Sequence, residues 1–571
     1  MLMKKLRSLR WFEKDDLRSF GHRSRVNQMG YSPQEYIGKP IIGIINTWND
    51  FNTCHTHFKE RVEDIKRGVF QAGGFPMEIP VMSVGEQLIK PTSMMFRNFL
   101  AMEVEEILRA FPVDGAVVMG GCDKTTPGVL MGAFSFNIPT IYMPAGAMLK
   151  GNFEGESLGS GTDVWKYWDL RQAGCFGDCE WRKLEMGIAR SAGTCMTMGT
   201  AATMMTMAEA LGMSLPGASS IPAVDSNHKR MARECGVKIV ELVHKDIKPS
   251  DILSRESFEN AIVTLNAIGG STNAIIHLVA LAKRAKIPLE LDDFEKIGRD
   301  VPLLLNLKPS GKYVMEDFYY AGGILALQKV LQPKLHNIKT VNLASLYENI
   351  EEAKVFNQEV IATLQKPFNS NPSLAVLRGN LCLNGAILKQ SACEKRLLKH
   401  KGRALVYDDI QTLKEEIDKE DLDVDENTVL ILKNAGPLGA PGMPEWGQLP
   451  IPKKLLKRGV KDILRISDAR MSGTSYGACV LHVSPESYIG GNLALVKTGD
   501  WISLDVEKRL LEVCLSEEEL EQRRKEFQPP RRDYTSGYVK LYTDHVTQAH
   551  EGCDFDFLVK DSPREGEPRI F

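Results

Sequence analysis

The sequence predicts an α/β fold: a doubly wound N-terminal domain, open to subdivision, followed by a C-terminal β-barrel-like domain. Three observations carry this. At 571 residues the chain exceeds what one hydrophobic core usually serves. From about residue 40 to 290, apolar runs rich in β-branched residues alternate with amphipathic helical patterns, the sign of strands joined by crossover helices. After the polar, Pro-containing stretch KPFNSNPS, which starts at Lys366, short strands follow one another between Gly- and Pro-rich turns. The domains are accordingly expected at residues 1–368 and 369–571.

In chain order, PIIGIINT, PMEIPVMSV, VDGAVVMGG and IPTIYMPA read as strands. HFKERVEDIKRGVFQAG, SMMFRNFLAMEVEEILRAF and TAATMMTMAEALGM read as helices. A doubly wound domain places its ligands in loops beyond the carboxyl ends of its strands. In the second part, SLAVLRGNL, RALVYD, NTVLILKNAG, KDILRISDA and ACVLHVS are short strands with fewer long helices between them. No internal repeat of fixed period and no low-complexity tract is visible.

Composition removes several classes of function. Hydrophobic residues at 43% and charged residues at 25% match soluble globular usage and argue against disordered, fibrous or membrane classes. A net charge of −2 gives no electrostatic reason for a nucleic acid or an anionic membrane as partner. The N-terminal MLMKKLRSLRWFEKDDL lacks the continuous apolar stretch of a secretory signal, and no segment has the uninterrupted apolar length of a membrane span. A cytoplasmic enzyme is the expectation. Eleven cysteines, an odd number without a secretory signal, read as reduced thiols, most of them small core residues.

The loop GGCDKTTPG, Gly120 to Gly128, is glycine-flanked like a phosphate cradle. A Walker loop requires Gly directly before its Lys, whereas Asp123 precedes Lys124 and would repel a phosphate. The loop instead puts Cys122, Asp123 and Lys124 at the carboxyl end of a strand. PIIGIINTWNDFNTCHTH likewise carries Cys54, with His55 and His57, beyond a strand, and PMEIPVMSVGEQ carries Glu86. Each residue alone is most simply packed or solvated, but the shared position weakens that reading. Cys195, in SAGTCMTMGTAATMMTMAEALGM, is expected near a helix N-terminus, where the dipole favours thiolate. Three such widely spaced cysteines fit neither zinc-finger nor bacterial ferredoxin spacing; converging, they would leave a metal centre with an open position.

The second part adds NAGPLGAPGMPEWG, with Glu445 held among glycines and prolines, and RISDARMSGTSYGACVLHV, with Ser472 in a Ser-Gly-Thr-Ser run. The plain reading of the latter is a turn, and its serine becomes a base only if a neighbouring cation lowers the hydroxyl pKa. Cys175 and Cys179 form the most tempting local pair but have no further ligands nearby. Cys235, Cys382, Cys393, Cys479, Cys514 and Cys553 have no such context.

Taken together, TWNDFNTCHTH, GGCDKTTPG, SAGTCMTMGTA, GGSTNAIIH, PSGKYVMEDFYYAGG, LRGNL, NAGPLGAPGMPEWG and RISDARMSGTSYG resemble the dihydroxy-acid and sugar-acid dehydratase family, in order through nearly the whole chain. Within it, GSGTDVWKYWD and GKYVMEDFYYAGG look most like the pentonate dehydratases acting on L-arabinonate or D-xylonate. The resemblance implies a 2Fe-2S cluster on Cys54, Cys122 and Cys195. It implies Mg²⁺ on Glu86, Asp123, Glu445 and Lys124, the lysine carbamoylated and thereby an oxygen ligand suited to a hard cation. Ser472 falls at the family's catalytic base and Thr474 at a substrate or alkoxide contact. Relatives commonly have Pro before the first cluster cysteine, where this chain has Thr53.

The implied reaction is dehydration of a small-molecule sugar acid to a 2-keto-3-deoxy acid by a hydro-lyase, in a homodimer or homotetramer. Mg²⁺ would acidify the C2 proton, Ser472 would take it, and the open iron would help the C3 hydroxyl leave without net electron transfer. A dihydroxy-acid dehydratase of branched-chain synthesis would share these motifs and differ in the pocket for the tail. A non-catalytic iron–sulfur redox sensor would use the same cysteines but leave Glu86, Glu445 and Ser472 unexplained. Ligand count alone would serve an open 4Fe-4S cluster equally.

Overall fold

A computed structural model describes residues 6–558, apart from 173, 175, 446–448 and 532–533. Its first sheet contains β1 (Ile41–Asn46), β2 (Phe75–Pro80), β3 (Gly115–Gly120) and β4 (Thr140–Pro144). The order is β2-β1-β3-β4 and every pairing is parallel. All residues of β1, β3 and β4 are buried, as expected of strands covered by helices on both faces. Helices α1 (Phe58–Gln71), α2 (Met94–Ala110) and α3 (Thr125–Phe136) make the crossovers. In α1, Phe58, Val62, Ile65 and Val69 form one buried stripe at helical spacing.

This strand order has its switch point between β1 and β3, where successive connections leave in opposite directions and a crevice opens. The loops carrying Cys54 and Cys122 are the two that border it.

The strand–helix alternation ends earlier than the sequence pattern suggests. Among the described residues, only the hairpin β5 (Gly151–Phe153) and β6 (Glu156–Leu158) follows β4 before residue 375. The intervening chain is helical: α4 (Thr162–Gln172), α5 (Thr200–Ala210), α6 (Ser226–Lys245), α7 (Arg255–Ala267) and α8 (Asn273–Arg284) among others. Nearly every residue of α8 and of α5, which the sequence pattern reads correctly as a helix, is buried.

The second part is a mixed eight-stranded sheet: β7 (Ala375–Leu377), β8 (Gly385–Leu388), β9 (Lys399–Tyr407), β10 (Val429–Leu432), β11 (Arg465–Ser467), β12 (Cys479–Ser484), β13 (Trp501–Asp505) and β14 (Leu510–Val513). Its order is β14-β13-β9-β10-β11-β12-β8-β7. The two ends meet, since the Arg378 amide donates to Arg509 O at 2.8 Å and the Leu511 amide to Arg378 O at 2.7 Å. The sheet is thus nearly closed into a barrel, which leaves little free edge. Leu377, Leu388, Ala404, Ile431, Ile466 and Val480 fill its interior. Val376 and Ile387, on the opposite face, join the core of the first part, so the two parts share a packed seam. No described helix is long and apolar enough to cross a membrane.

Candidate active site

Beyond β1 the chain turns through a short 3₁₀ helix, Thr53–His55, which buries Cys54. Cys122, just past β3, is also buried, and Cys195 is half-buried. The Cys54 and Cys122 thiols hydrogen-bond each other, and Cys195 lies close enough for its charge to bear on Cys54. That hydrogen bond, then burial, raises the Cys54 thiol far above its ordinary range. Burial pushes Cys195 up to about 12, with Asp123 and Cys122 adding to the effect. The dipole expectation for Cys195 is therefore corrected: α5 begins only at Thr200, and burial outweighs any field from its end. Left to themselves the Cys54 and Cys195 sulfurs stay protonated. A bound cation would have to displace the protons.

The two histidines beside Cys54 tie this segment to the other two sulfur loops. His55 Nε2 accepts the Cys122 amide N–H at 3.0 Å, while its Nδ1–H donates to Thr47 O at 2.6 Å. Burial keeps the ring neutral, with its pKa lowered to about 3. His57 donates from Nε2 to Ala145 O at 2.8 Å. The next residues, Gly146 to Met148, exchange backbone hydrogen bonds with Thr194, the neighbour of Cys195. One short motif thus fixes the relative placement of all three cysteines.

Glu86, Asp123 and Glu445 gather around the fully buried ammonium of Lys124, at 3.2, 3.3 and 3.3 Å. Burial opposes the lysine's charge, but the three carboxylates together hold its pKa above the ordinary range. Glu86 is further held by hydroxyl donors from Thr92, at 3.0 Å, and Ser93. Burial works against its charge as well, yet Lys124 and Arg470 bring its carboxyl down to about 2. Asp123 is pushed up to about 6 by burial, reinforced by Glu445 and Glu86. The GGCDK loop therefore faces two ways, Cys122 toward sulfur and Asp123–Lys124 toward oxygen.

Sequence reasoning missed Arg470 and Asn273. Arg470 is fully buried, donating from Nη1 to Glu445 Oε2 at 3.0 Å, from Nε to Met443 O at 2.9 Å and from Nη2 to Thr92 Oγ1 at 3.2 Å. Asn273, at the start of α8, donates to Glu445 Oε2 at 3.2 Å and to Met471 O at 3.2 Å. It links the carboxylate cluster to the residue preceding Ser472. Nothing in RISDAR marks its arginine as buried; the GGSTNA stretch is visible as a motif, without a role for its asparagine.

Ser472 is half-buried, and its Oγ shares a 2.9 Å hydrogen bond with Thr474 Oγ1. Its loop lies tightly on the first part of the chain. A Cβ at Gly473 would stand 2.7 Å from Thr200 N and 2.8 Å from Ser271 Oγ. Of the tempting local pair, Cys175 lies outside the described residues and Cys179 is exposed.

Among the described residues, no three His, Cys, Asp or Glu side chains are spaced to hold a single ion as they stand. The donor chemistry nevertheless suits two different centres. Three oxygen anions surround one cationic point, which matches a hard divalent ion, and three thiols around a crevice suit a soft, thiophilic centre such as an iron–sulfur cluster.

The family model described as dihydroxy-acid/6-phosphogluconate dehydratase N-terminal matches residues 39–349, and its C-terminal counterpart matches residues 359–553. The chain is 52% identical to a 6-deoxy-6-sulfo-D-gluconate dehydratase of Pseudomonas putida, covering 97% of each protein. It is 49% identical to an L-arabinonate dehydratase of Rhizobium leguminosarum bv. trifolii, covering 97% of this chain and 96% of the relative. A dihydroxy-acid dehydratase of Clostridium novyi is 38% identical over 93% of this chain and 97% of its own. With both family regions matched in order along one chain, the protein belongs to the dihydroxy-acid/6-phosphogluconate dehydratase family.

Proposed function

We infer that the protein is a hydro-lyase that dehydrates a sugar acid of the aldonate class to a 2-keto-3-deoxy acid. The observation that carries this is the two-faced loop Cys122–Asp123–Lys124, with thiols on one side and carboxylates on the other. The names of the relatives at 52% and 49% identity favour a sugar acid over a branched-chain acid, whose dehydratase stands at 38%.

In this reading Cys54, Cys122 and Cys195 hold a 2Fe-2S cluster, and Glu86, Asp123, Glu445 and a carbamoylated Lys124 hold Mg²⁺. Bound there, the two centres supply Lewis acidity toward the C3 hydroxyl and the C2 substituents respectively. The remaining work belongs to the chain's own groups. Ser472 Oγ takes the C2 proton, the C3 hydroxyl leaves with the electron pair of its C–O bond, and the resulting enol tautomerises to the ketone. Thr474 Oγ1, 2.9 Å from Ser472 Oγ, donates a hydrogen bond to the alkoxide form of the serine. Arg470 offsets the charge of Glu445 and, through Thr92, steadies Glu86. Asn273 holds Glu445 and the Met471 carbonyl together, so the base loop and the carboxylates keep their spacing.

Anaerobic assay of the reconstituted protein tests the reading by measuring 2-keto acid formed from L-arabinonate, D-xylonate, hexonates and 2,3-dihydroxyisovalerate. Mg²⁺-dependent turnover of an aldonate is expected. Turnover of 2,3-dihydroxyisovalerate alone would replace it with the branched-chain activity, and no turnover of any acid would favour a redox role. Size-exclusion with light scattering is expected to give a homodimer or homotetramer.

A further inference from the structure

The segment Gly159–Asp163, a turn leading into the first residues of α4, is wedged between the loop of Cys195 and the loop of Ser472. On one side the Ser160 amide donates to Met196 Sδ at 2.8 Å and Thr197 Oγ1 donates to Ser160 O at 3.3 Å. On the other, Thr162 Oγ1 donates to Thr474 O at 3.0 Å. The fit is close. Gly161 has φ +79°, and a Cβ there would stand 2.2 Å from Thr474 Oγ1. The segment thus lies between the loop of Cys195 and the loop of Ser472.

Two side chains on the segment have hydrogen-bonding capacity to spare. Ser160 is 8% exposed, and its buried hydroxyl has the Cys195 sulfur beside it as its one polar contact, with no oxygen or nitrogen partner among the described residues. Asp163 is 9% exposed and uses Oδ2 for both of its contacts, the Gly159 amide at 2.6 Å and the Lys308 ammonium. Its Oδ1 accepts no described hydrogen bond, while the Lys308 ammonium fixes the carboxylate in place. Leaving a buried hydroxyl without an oxygen or nitrogen partner is unfavourable unless a ligand completes it, and Oδ1 of the partly accessible Asp163 carboxylate is open to a donor. A branched aliphatic tail offers nothing to either. A tail bearing hydroxyls offers donors to Asp163 and both donors and acceptors to Ser160.

We propose that Ser160 and Asp163 are specificity-determining residues that recognise the tail hydroxyls of a polyhydroxy acid, so that the pocket rejects tails without them. This rests on the dehydratase reading above and names the group that would select the sugar acid. A site built to bond a hydroxyl discriminates strongly against its absence, because the site's own polar atoms are then stranded.

The test uses the reconstituted holoenzyme with L-arabinonate and with glycerate, which keeps the C2 and C3 hydroxyls and has no tail. Ser160→Ala and Asp163→Asn are each expected to lower the preference in kcat/KM for L-arabinonate over glycerate by about 10-fold or more. Where glycerate turnover falls below detection, its inhibition constant against L-arabinonate serves as the reference. Equal losses on both acids in both variants, or an unchanged preference, would overturn the proposal. Visible absorption of each variant, compared with the parent, separates loss of the cluster from loss of recognition. Failure of the unsubstituted holoenzyme to dehydrate any aldonate would instead defeat the dehydratase reading itself.

Discussion

The sulfur side and the oxygen side of this site are assembled differently. Cys54, Cys122 and Cys195 all come from the first part of the chain and are tied together by neutral groups, chiefly His55 and His57. The carboxylate cluster draws Glu86, Asp123 and Lys124 from the first part and Glu445 and Arg470 from the barrel, and is held by full charges. Only the second takes its members from both parts of the chain. Damage should therefore appear as lost metal on the sulfur side and as lost assembly on the oxygen side.

The largest effect should separate the two sides cleanly. Ser472→Ala is expected to keep the visible spectrum of the cluster while kcat falls about 10²–10⁴-fold, the usual worth of a general base. Cys122→Ser should lose colour and turnover together. A colourless Cys122→Ser protein with full turnover would break the assignment of the sulfur side, and substantial residual activity in Ser472→Ala would remove the serine from its role.

Next comes the charged seam. Arg470→Met removes a fully buried cation from between the barrel and Thr92, leaving Glu445 with one fewer partner. Breaking a buried ion pair this way typically costs about 3–5 kcal/mol. Denaturant unfolding of the protein without added metal should show that loss. A change below about 1 kcal/mol would mean that Arg470 is not what holds the two parts together there.

What the amino-acid sequence makes legible follows the same division. The strand-end loops are encoded in local pattern, so Cys54, Glu86, Cys122 and Asp123 stand out as candidates from the sequence alone. Arg470 does not, because its burial depends on Thr92, far away in sequence, and no local period encodes that pairing. The same holds for the His55 bond to the Cys122 amide, which crosses the β1–β3 crevice. Local pattern puts Cys195 near a helix N-terminus, whereas the helix begins only at Thr200, and it suggests the wrong electrostatics, since burial is a tertiary quantity and helix dipoles are a local one. The barrel's strands are visible as short apolar runs, whereas its closure at Arg378 and Leu511 is not.

A smaller effect is expected where the sulfur side depends on a single neutral hydrogen bond. His55→Leu leaves the Cys122 amide without its acceptor and should weaken retention of the cluster about 10-fold or more, the usual cost of losing an outer partner of a metal ligand. Iron content after dialysis against chelator measures this directly. Turnover per bound cluster should fall much less than in Ser472→Ala, because the carboxylates and the base loop are untouched. An unchanged iron content would mean that the histidine only packs.

The smallest effect concerns acid. His228 is fully buried, its Nε2–H donates to Pro144 O at 3.0 Å, and its ring lies 5.4 Å from that of His57. Burial, with His57 and Arg61 nearby, holds its pKa well below 6.5. In the unfolded chain the same ring protonates near pH 6.5, so below that pH the unfolded state binds the extra proton and is favoured. The stability this neutral histidine contributes is therefore complete above about pH 6.5 and declines as pH falls toward the folded pKa, by at most about 1.4 kcal/mol per pH unit. His228→Gln keeps an amide donor for Pro144 and cannot take up that proton. Its melting temperature should drop less between pH 7 and pH 5.5 than that of the unsubstituted protein. Glu86, held to about 2 by Lys124 and Arg470 against its burial, gives no such response in this range. An equal drop in both proteins would place the acid-labile groups elsewhere than behind the sulfur loops, and would remove acid sensitivity from the contrast between the two sides.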